Sequence, residues 1–310
     1  MQNRIKVLVT GGAGYLGSIL VPQLLQRGYQ VTIYDKFVYG VQSILSFVED
    51  PKLTVIEGDI LNTRALNQAI SGQDFVVHLA AIVGFPSCNK DPVLARVINV
   101  DGTRNVAAAL RKGQKLLFAS TGSIYGKVEG ICTEDTPAKP LSLYGETKWT
   151  GEGAIRTIGC DHVIFRFATV FGAAPRFRLD LLINDFVYQA IHNRQLAVFE
   201  GNSRRTFLHI YDAAMAFVFA IEHFDKMCNR VYNVGDAEMN YTKIEVARKI
   251  KEHVDFYLHE ACFGTDPDQR DYEVDYSKLR CLGYGVKIRL DAGIQGLIKA
   301  ITPIRQQKYL

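Results

Sequence analysis

The run Thr10-Gly11-Gly12-Ala13-Gly14-Tyr15-Leu16-Gly17 closes an apolar stretch, Ile5–Thr10, and leads into a helical pattern, Leu16–Arg27. Glycines at this point let the backbone turn tightly and come close to a bound pyrophosphate. The helix start beyond them offers free N–H groups and a partial positive charge. The spacing fits GxGxxG from Gly12 and GxxGxxG from Gly11, so spacing alone does not name a subclass. A plain structural turn is the competing reading. Asp35 follows the next strand pattern, Gln30–Tyr34, 18 residues beyond Gly17. A carboxylate there accepts hydrogen bonds from a ribose 2′-hydroxyl and repels a 2′-phosphate, which favours NAD over NADP. The alternative for Asp35, with Lys36 beside it, is the capping of a loop.

The rest of the first half repeats the strand-then-helix rhythm. Leu53–Glu57, Phe75–Ala80, Lys115–Ser120 and His162–Phe167 read as further buried strands, with helices over Thr63–Ile70 and Thr103–Arg111. Such alternation implies βαβ units, and continuously apolar strands imply burial on both faces of a parallel sheet. The fold class is therefore α/β, a doubly wound parallel sheet. After Phe171 the rhythm changes. Leu179–His192, Ala213–His223 and Asp291–Ile301 read as helices, with short strands at Leu196–Phe199, Val231–Val234 and Phe256–His259. The expected division is a dinucleotide-binding domain over 1–170, with 208–235 packing back onto it, and a smaller substrate domain over 171–310.

A net charge of +4 with no long Lys/Arg run points away from nucleic acid and from anionic membranes. The six cysteines include no CxxC pair, so zinc spacing is missing and free thiols in a cytoplasmic setting are expected. No apolar run approaches the ~18 residues of a membrane span. His253 and His259 lack the HExxH spacing, so no metal site is expected. His78, inside a strand, reads as a packed residue.

Tyr144 and Lys148 stand four apart at the opening of a helical stretch after Pro140. They share one helix face, and an ammonium beside a phenol stabilises the phenolate. A tyrosine tuned in this way takes a proton from an alcohol near neutral pH. Thr121 and Ser123 follow the strand before that helix, where a hydroxyl can hold the reacting oxygen or merely cap a turn.

With these elements in order, the chain resembles the extended short-chain dehydrogenase/reductases, in particular the nucleotide-sugar epimerase/dehydratase family. TGGAGYLG at 10–17, HLAA at 78–81, STGSIYG at 120–126, YGETK at 144–148 and FRFATVFG at 165–172 carry the resemblance. It implies a seven-stranded Rossmann domain with a smaller C-terminal sugar-nucleotide domain, and NAD as cofactor. Thr121, Tyr144 and Lys148 match the catalytic residues. Gly11, Gly14, Tyr15, Leu16, Gly17, Asp35, Asp59, Ile60, Leu79, Ala80, Ala81, Asn99 and Thr169 match cofactor positions, as do Tyr144 and Lys148. Ser123, Asn184, Arg205 and Arg270 match substrate positions, the last three toward a nucleotide diphosphate, and Asp271 an acid near its ribose. Paired arginine forks suit a diphosphate. Arg176, Arg178 and Arg204 read equally as phosphate ligands or surface ion pairs.

The resemblance implies hydride transfer at C4 of a nucleotide-bound sugar, with a homodimer formed through the helices at Thr103–Arg111 and Tyr144–Arg156. Epimerase is the leading expectation. A 4-dehydrogenase or 4-ketoreductase would use the same groups, and a dehydrogenase on a non-sugar alcohol is the more distant alternative. Gly122 and Ser123 stand where 4,6-dehydratases carry an Asp-Glu pair, which disfavours dehydration. The strings at 175–186 and 266–276 look most like a bacterial subgroup that includes GDP-heptose 4-dehydrogenases.

Overall fold

A computed structural model describes residues 5–261 and 271–304. Seven parallel strands form its central sheet: β1 (Lys6–Thr10), β2 (Gln30–Asp35), β3 (Leu53–Glu57), β4 (Phe75–His78), β5 (Lys115–Thr121), β6 (Asp161–Phe167) and β7 (Arg230–Val234). Their order is β7-β6-β5-β4-β1-β2-β3. The order reverses between β1 and β4, and the crevice beyond the carboxyl ends of those strands is where such sheets bind ligands.

Strand β1 shows how the two faces are sealed. Side chains alternate across a strand. Val7 and Val9 join Leu20, Leu24 and Phe217 on one side, while Leu8 joins Leu66, Ile70 and Val106 on the other. Each of the three β1 residues is fully buried. Helices α1 (Gly17–Gln26) and α5 (Ile210–Glu222) cover the first face. Helices α2 (Thr63–Ile70) and α3 (Gly102–Ala109) cover the second. Helix α4 (Leu143–Ile158) lies beside α3. Its start is fixed by Ser142, whose Oγ accepts the Gly145 N–H at 3.2 Å, and its end by Gly159 at φ 75°.

A second apolar cluster gathers Phe171, Ile183, Val187, Phe207, Ile244, Leu290, Ile294 and Leu297. Three small sheets surround it or flank the main one. They pair 169–171 with 204–209 and 240–242, 195–199 with 257–261, and 127–132 with 271–274. The strands at 127–132, 169–171, 204–209, 240–242 and 271–274 are additions to the sequence reading. Each depends on a partner far along the chain. Several boundaries also differ. Strand β4 stops at His78, because Leu79 and Ala80 leave the sheet. The helix expected over Thr103–Arg111 starts at Gly102, continuing a π-helical turn at Val97–Asp101, and ends when Leu110 becomes extended. The helix expected from Leu179 begins at Leu182.

Among the described residues no helix is long and apolar enough to cross a membrane. Phe217 has no exposed surface and packs its ring 5.3 Å from Phe165 and 5.5 Å from Phe167. Phe217→Ala is expected to lower unfolding stability by about 3–5 kcal/mol, read from urea denaturation.

Candidate active site

The glycine turn packs directly on the loop that leaves β4. Gly11 has φ 70°, and a Cβ there would stand 2.7 Å from Ala80 N. A Cβ on Gly17 would stand 2.5 Å from Gly12 O. Any side chain at either position would push apart the turn, the helix start and the Leu79–Ala81 loop. Helix α1 has Leu16 at its N-cap, with no side-chain cap. Its first N–H groups are therefore not taken by a capping side chain. Asp35 accepts from Ala13 N at 2.9 Å and from Phe37 N at 2.8 Å. The carboxylate thus shapes the glycine turn as well as capping its own loop, and each oxygen keeps a further lone pair. Beside it, Tyr34 donates to Asp59 O at 3.0 Å, and Lys36 pairs with the Asp59 carboxylate at 2.8 Å. Ile60 is buried under the start of α3, where a Cβ on Gly102 would meet it. These features fit a dinucleotide: a turn with no room for side chains at Gly11 and Gly17, a helix start without a side-chain cap and a carboxylate at the end of β2.

The second half of the site hangs on α4. Lys148 is 3% exposed, with Nζ 4.6 Å from the centre of the Phe118 ring. Burial pulls its ammonium down to about 8, opposed by Cys88 and Glu152. The α4 start abuts the turn after β5, since a Cβ on Gly145 would lie 2.8 Å from Ser123 O. In that turn Thr121 Oγ1 accepts from Ser123 N at 3.1 Å and donates to Ser123 Oγ at 3.0 Å. Thr121 therefore caps the turn from the end of β5. Tyr144 is half-buried one helical turn before Lys148.

Asn99 ties these parts together. It accepts from Ile82 N at 2.8 Å and donates to Ile82 O at 2.9 Å and to Thr147 Oγ1 at 3.1 Å. Thr103 Oγ1 donates to Asn99 O at 2.7 Å. The π-helical turn around Asn99 thus fixes the loop beyond Ala81 against the helix of Tyr144. His78 is fully enclosed, with its ring nitrogens 2.7 Å from Thr10 Oγ1 and 3.0 Å from Thr103 Oγ1. Burial, reinforced by Lys148, pushes it down to about 3, so it is neutral and packed.

Asn184 is also fully buried, and its amide is spent on backbone: it accepts from Gly172 N at 2.9 Å and donates to Arg178 O at 2.8 Å. Tyr15 donates to Gly172 O at 2.7 Å. Thr169 opens a short strand paired with Phe207. Arg205 is 4% exposed, opposite Tyr241, and donates to Arg204 O at 3.1 Å. Arg204 forms an exposed ion pair with Glu273 at 2.8 Å. Arg176 stacks 3.7 Å over the Tyr39 ring. Arg178 is mostly buried and paired with Asp180, and its charge acts on both Tyr15 and Tyr144. Arg270 lies outside the described residues, as does the side chain of Asp271. His253 meets Asp291 at 2.7 Å on the surface.

The sequence reading passed over two residues behind this site, Glu152 and Arg166. Both are buried, joined through Nη2 and Oε2 at 2.9 Å. The signal for Glu152 was present, because it continues the four-residue spacing of Tyr144 and Lys148.

The model of the family described as "NAD dependent epimerase/dehydratase family" matches residues 7–235. The chain belongs to that family. Among its relatives, a Bacillus subtilis protein named "Uncharacterized UDP-glucose epimerase YtcB" is 32% identical over 251 residues, covering 76% of this chain and 78% of its own. A UDP-N-acetyl-alpha-D-glucosaminuronate decarboxylase of Bacillus cytotoxicus is 30% identical, covering 80% and 79%. Among solved structures, the UDP-glucuronic acid 4-epimerase of Bacillus cereus, in complex with UDP-glucuronic acid and NAD, has 30% identity and a TM-score of 0.84. That likeness covers 96% of this chain and 99% of the other.

In a family member with this turn, Asp35→Ala removes the carboxylate at the end of β2 that orders the Ala13 backbone. NAD affinity is expected to fall by about 10–100-fold, as for loss of a hydrogen bond to a charged group, and the preference over NADP to narrow. Calorimetric titration with each cofactor reads both.

Proposed function

We propose that this protein is an NAD-dependent nucleotide-sugar 4-epimerase acting through a 4-keto sugar. The observation that carries the reading is the pairing on α4 of Tyr144 with a buried Lys148 ammonium, next to the loop that packs on the glycine turn. NAD held there would supply a hydride acceptor and donor for C4 of the sugar. Tyr144 takes the C4 hydroxyl proton and later gives it back. Lys148 stabilises the Tyr144 phenolate through its charge. Thr121, with Ser123 beside it, orients the reacting oxygen. Inversion follows when the keto sugar presents its other face before hydride returns.

In this reading Gly11, Gly14, Leu16 and Gly17 face the pyrophosphate and Asp35 the adenosine ribose. Asp59 and Ile60 border the adenine, while Leu79–Ala81 and Thr169 line the nicotinamide half. Arg205 and Arg270 hold the diphosphate. Asn99, Asn184 and Tyr15 serve by fixing loops, because their hydrogen bonds go to backbone groups and to Thr147. Residues 1–170 with 208–235 form the cofactor domain, and 171–310 mainly the sugar-nucleotide domain. The five cysteines among the described residues are free thiols, which supports a cytoplasmic protein. The chain acts as a homodimer through α3 and α4, which lie side by side next to exposed Val93 and Leu94.

The test is incubation of the purified protein, without added NAD, with UDP-glucuronate, UDP-glucose, UDP-N-acetylglucosamine and their GDP and dTDP counterparts. The reading expects one of them to give a product of unchanged mass and changed retention. Tyr144→Phe should cut that turnover by about 10²–10⁴-fold. Full turnover in Tyr144→Phe would overturn the mechanism. Loss of two hydrogens with reduction of the bound cofactor would assign a dehydrogenase instead.

A further inference from the structure

Tyr144, Lys148, Glu152 and Arg156 follow one another at four-residue intervals along α4, so they form a single stripe on one helix face. The stripe alternates a phenol, a cation, an anion and a cation. Glu152, its third member, has no exposed surface. Its carboxylate accepts from Arg166 Nε at 3.1 Å and Nη2 at 2.9 Å, from Arg156 Nη2 at 2.8 Å and from Ser120 Oγ at 2.5 Å. Ser120 immediately precedes Thr121 on β5, and Arg166 lies opposite Ser120 on β6. Arg166 also donates to Tyr125 Oη at 3.1 Å and to Glu134 O at 2.9 Å. One carboxylate therefore joins the strand of Thr121, the helix of Tyr144 and Lys148, and the far side of the turn that holds Ser123.

Several groups face Lys148 from the elements packed on it. Glu152 and Tyr144 lie on its own helix, His78 on β4, Phe118 on β5 and Cys88 on the short helix Phe85–Lys90. His78 is neutral above about pH 3. Burial pushes the Cys88 thiol up to about 11, so it is neutral at pH 7. That leaves Glu152, ion-paired with Arg166 and Arg156, as the carboxylate among the described groups that act on Lys148.

We propose that Glu152 is a positioning residue for the proton-transfer pair: it fixes Thr121 against α4 and supplies the buried negative charge that keeps Lys148 protonated next to Tyr144. The inference rests on the proposed function, because it presumes that Tyr144 ionises beside Lys148. A clamp with no electrostatic role would hold the same elements together without affecting that ionisation. Buried ion pairs are weak sources of net stability, because desolvating the charges offsets much of their attraction.

The experiment is a phenolate titration of the intact protein by ultraviolet difference absorbance, with Tyr144→Phe subtracted to isolate one of the 15 tyrosines. A one-tyrosine step well below pH 10 is expected. Its absence would overturn the tuned-base reading itself. Given the step, Glu152→Gln should move it to higher pH by about one unit, because Lys148 then gives up its proton more readily and no longer stabilises the Tyr144 phenolate. Glu152→Asp, which keeps the charge, should leave the step nearly in place. Arg156→Gln, at an exposed position, should move it the opposite way by a smaller, salt-sensitive amount. A Glu152→Gln step at the wild-type position would overturn the inference. If Glu152→Gln does not fold, Arg156→Gln decides, and an unmoved step there overturns it equally.

Discussion

A lysine ammonium held against a phenylalanine ring and away from water is costly to keep charged. Much of this fold is arranged around that constraint at Lys148. Phe118 beneath it belongs to β5, the strand that delivers Thr121. His78 is kept neutral by enclosure between Thr10 and Thr103, so it adds no competing charge. The glutamate one turn along the helix provides the opposite charge, and Asn99 locks the neighbouring loop to the same helix through Thr147. The site depends on these walls as much as on Tyr144 and Lys148 themselves.

The cofactor side depends on a different constraint, close approach. Side chains are excluded from Gly11 and Gly17 because Ala80 and Gly12 already occupy the space. Asp35 completes that arrangement by binding the backbone of the turn. The carboxylate at the end of β2 thus holds both its own loop and the glycine turn. Family membership and the likeness to an NAD complex of a UDP-glucuronic acid 4-epimerase agree with this geometry.

The glycine turn, Asp35, the Tyr144–Lys148 pair and the seven main strands could be read along the chain, because each signal is local. A strand buried on both faces is continuously apolar, though Leu53–Glu57, expected to be buried, lies at the sheet edge with no buried residue, and a helix stripe repeats every four residues. The small sheets could not be read in this way. Strand 127–132 finds its partner at 271–274, and neither segment is apolar enough to declare itself. The parts played by Asn99 and Asn184 were hidden for a related reason. A motif shows which residue stands at a position, but not that its amide is already taken by Ile82 or Gly172. Arg178 was open between two roles in the sequence. Its burial near Tyr144 and Tyr15 depends on a turn at Leu179–Leu181 that the helical periodicity did not reveal.

The most direct measurement follows the hydrogen at C4. A nucleotide sugar accepted in turnover, deuterated at C4, would be converted in ordinary water and its product read by NMR and mass spectrometry. The account predicts inverted configuration at C4, deuterium retained at that carbon, and a slower rate than with the protonated sugar. Inversion with deuterium lost to solvent, or an unchanged C4 with reaction elsewhere on the sugar, would contradict it.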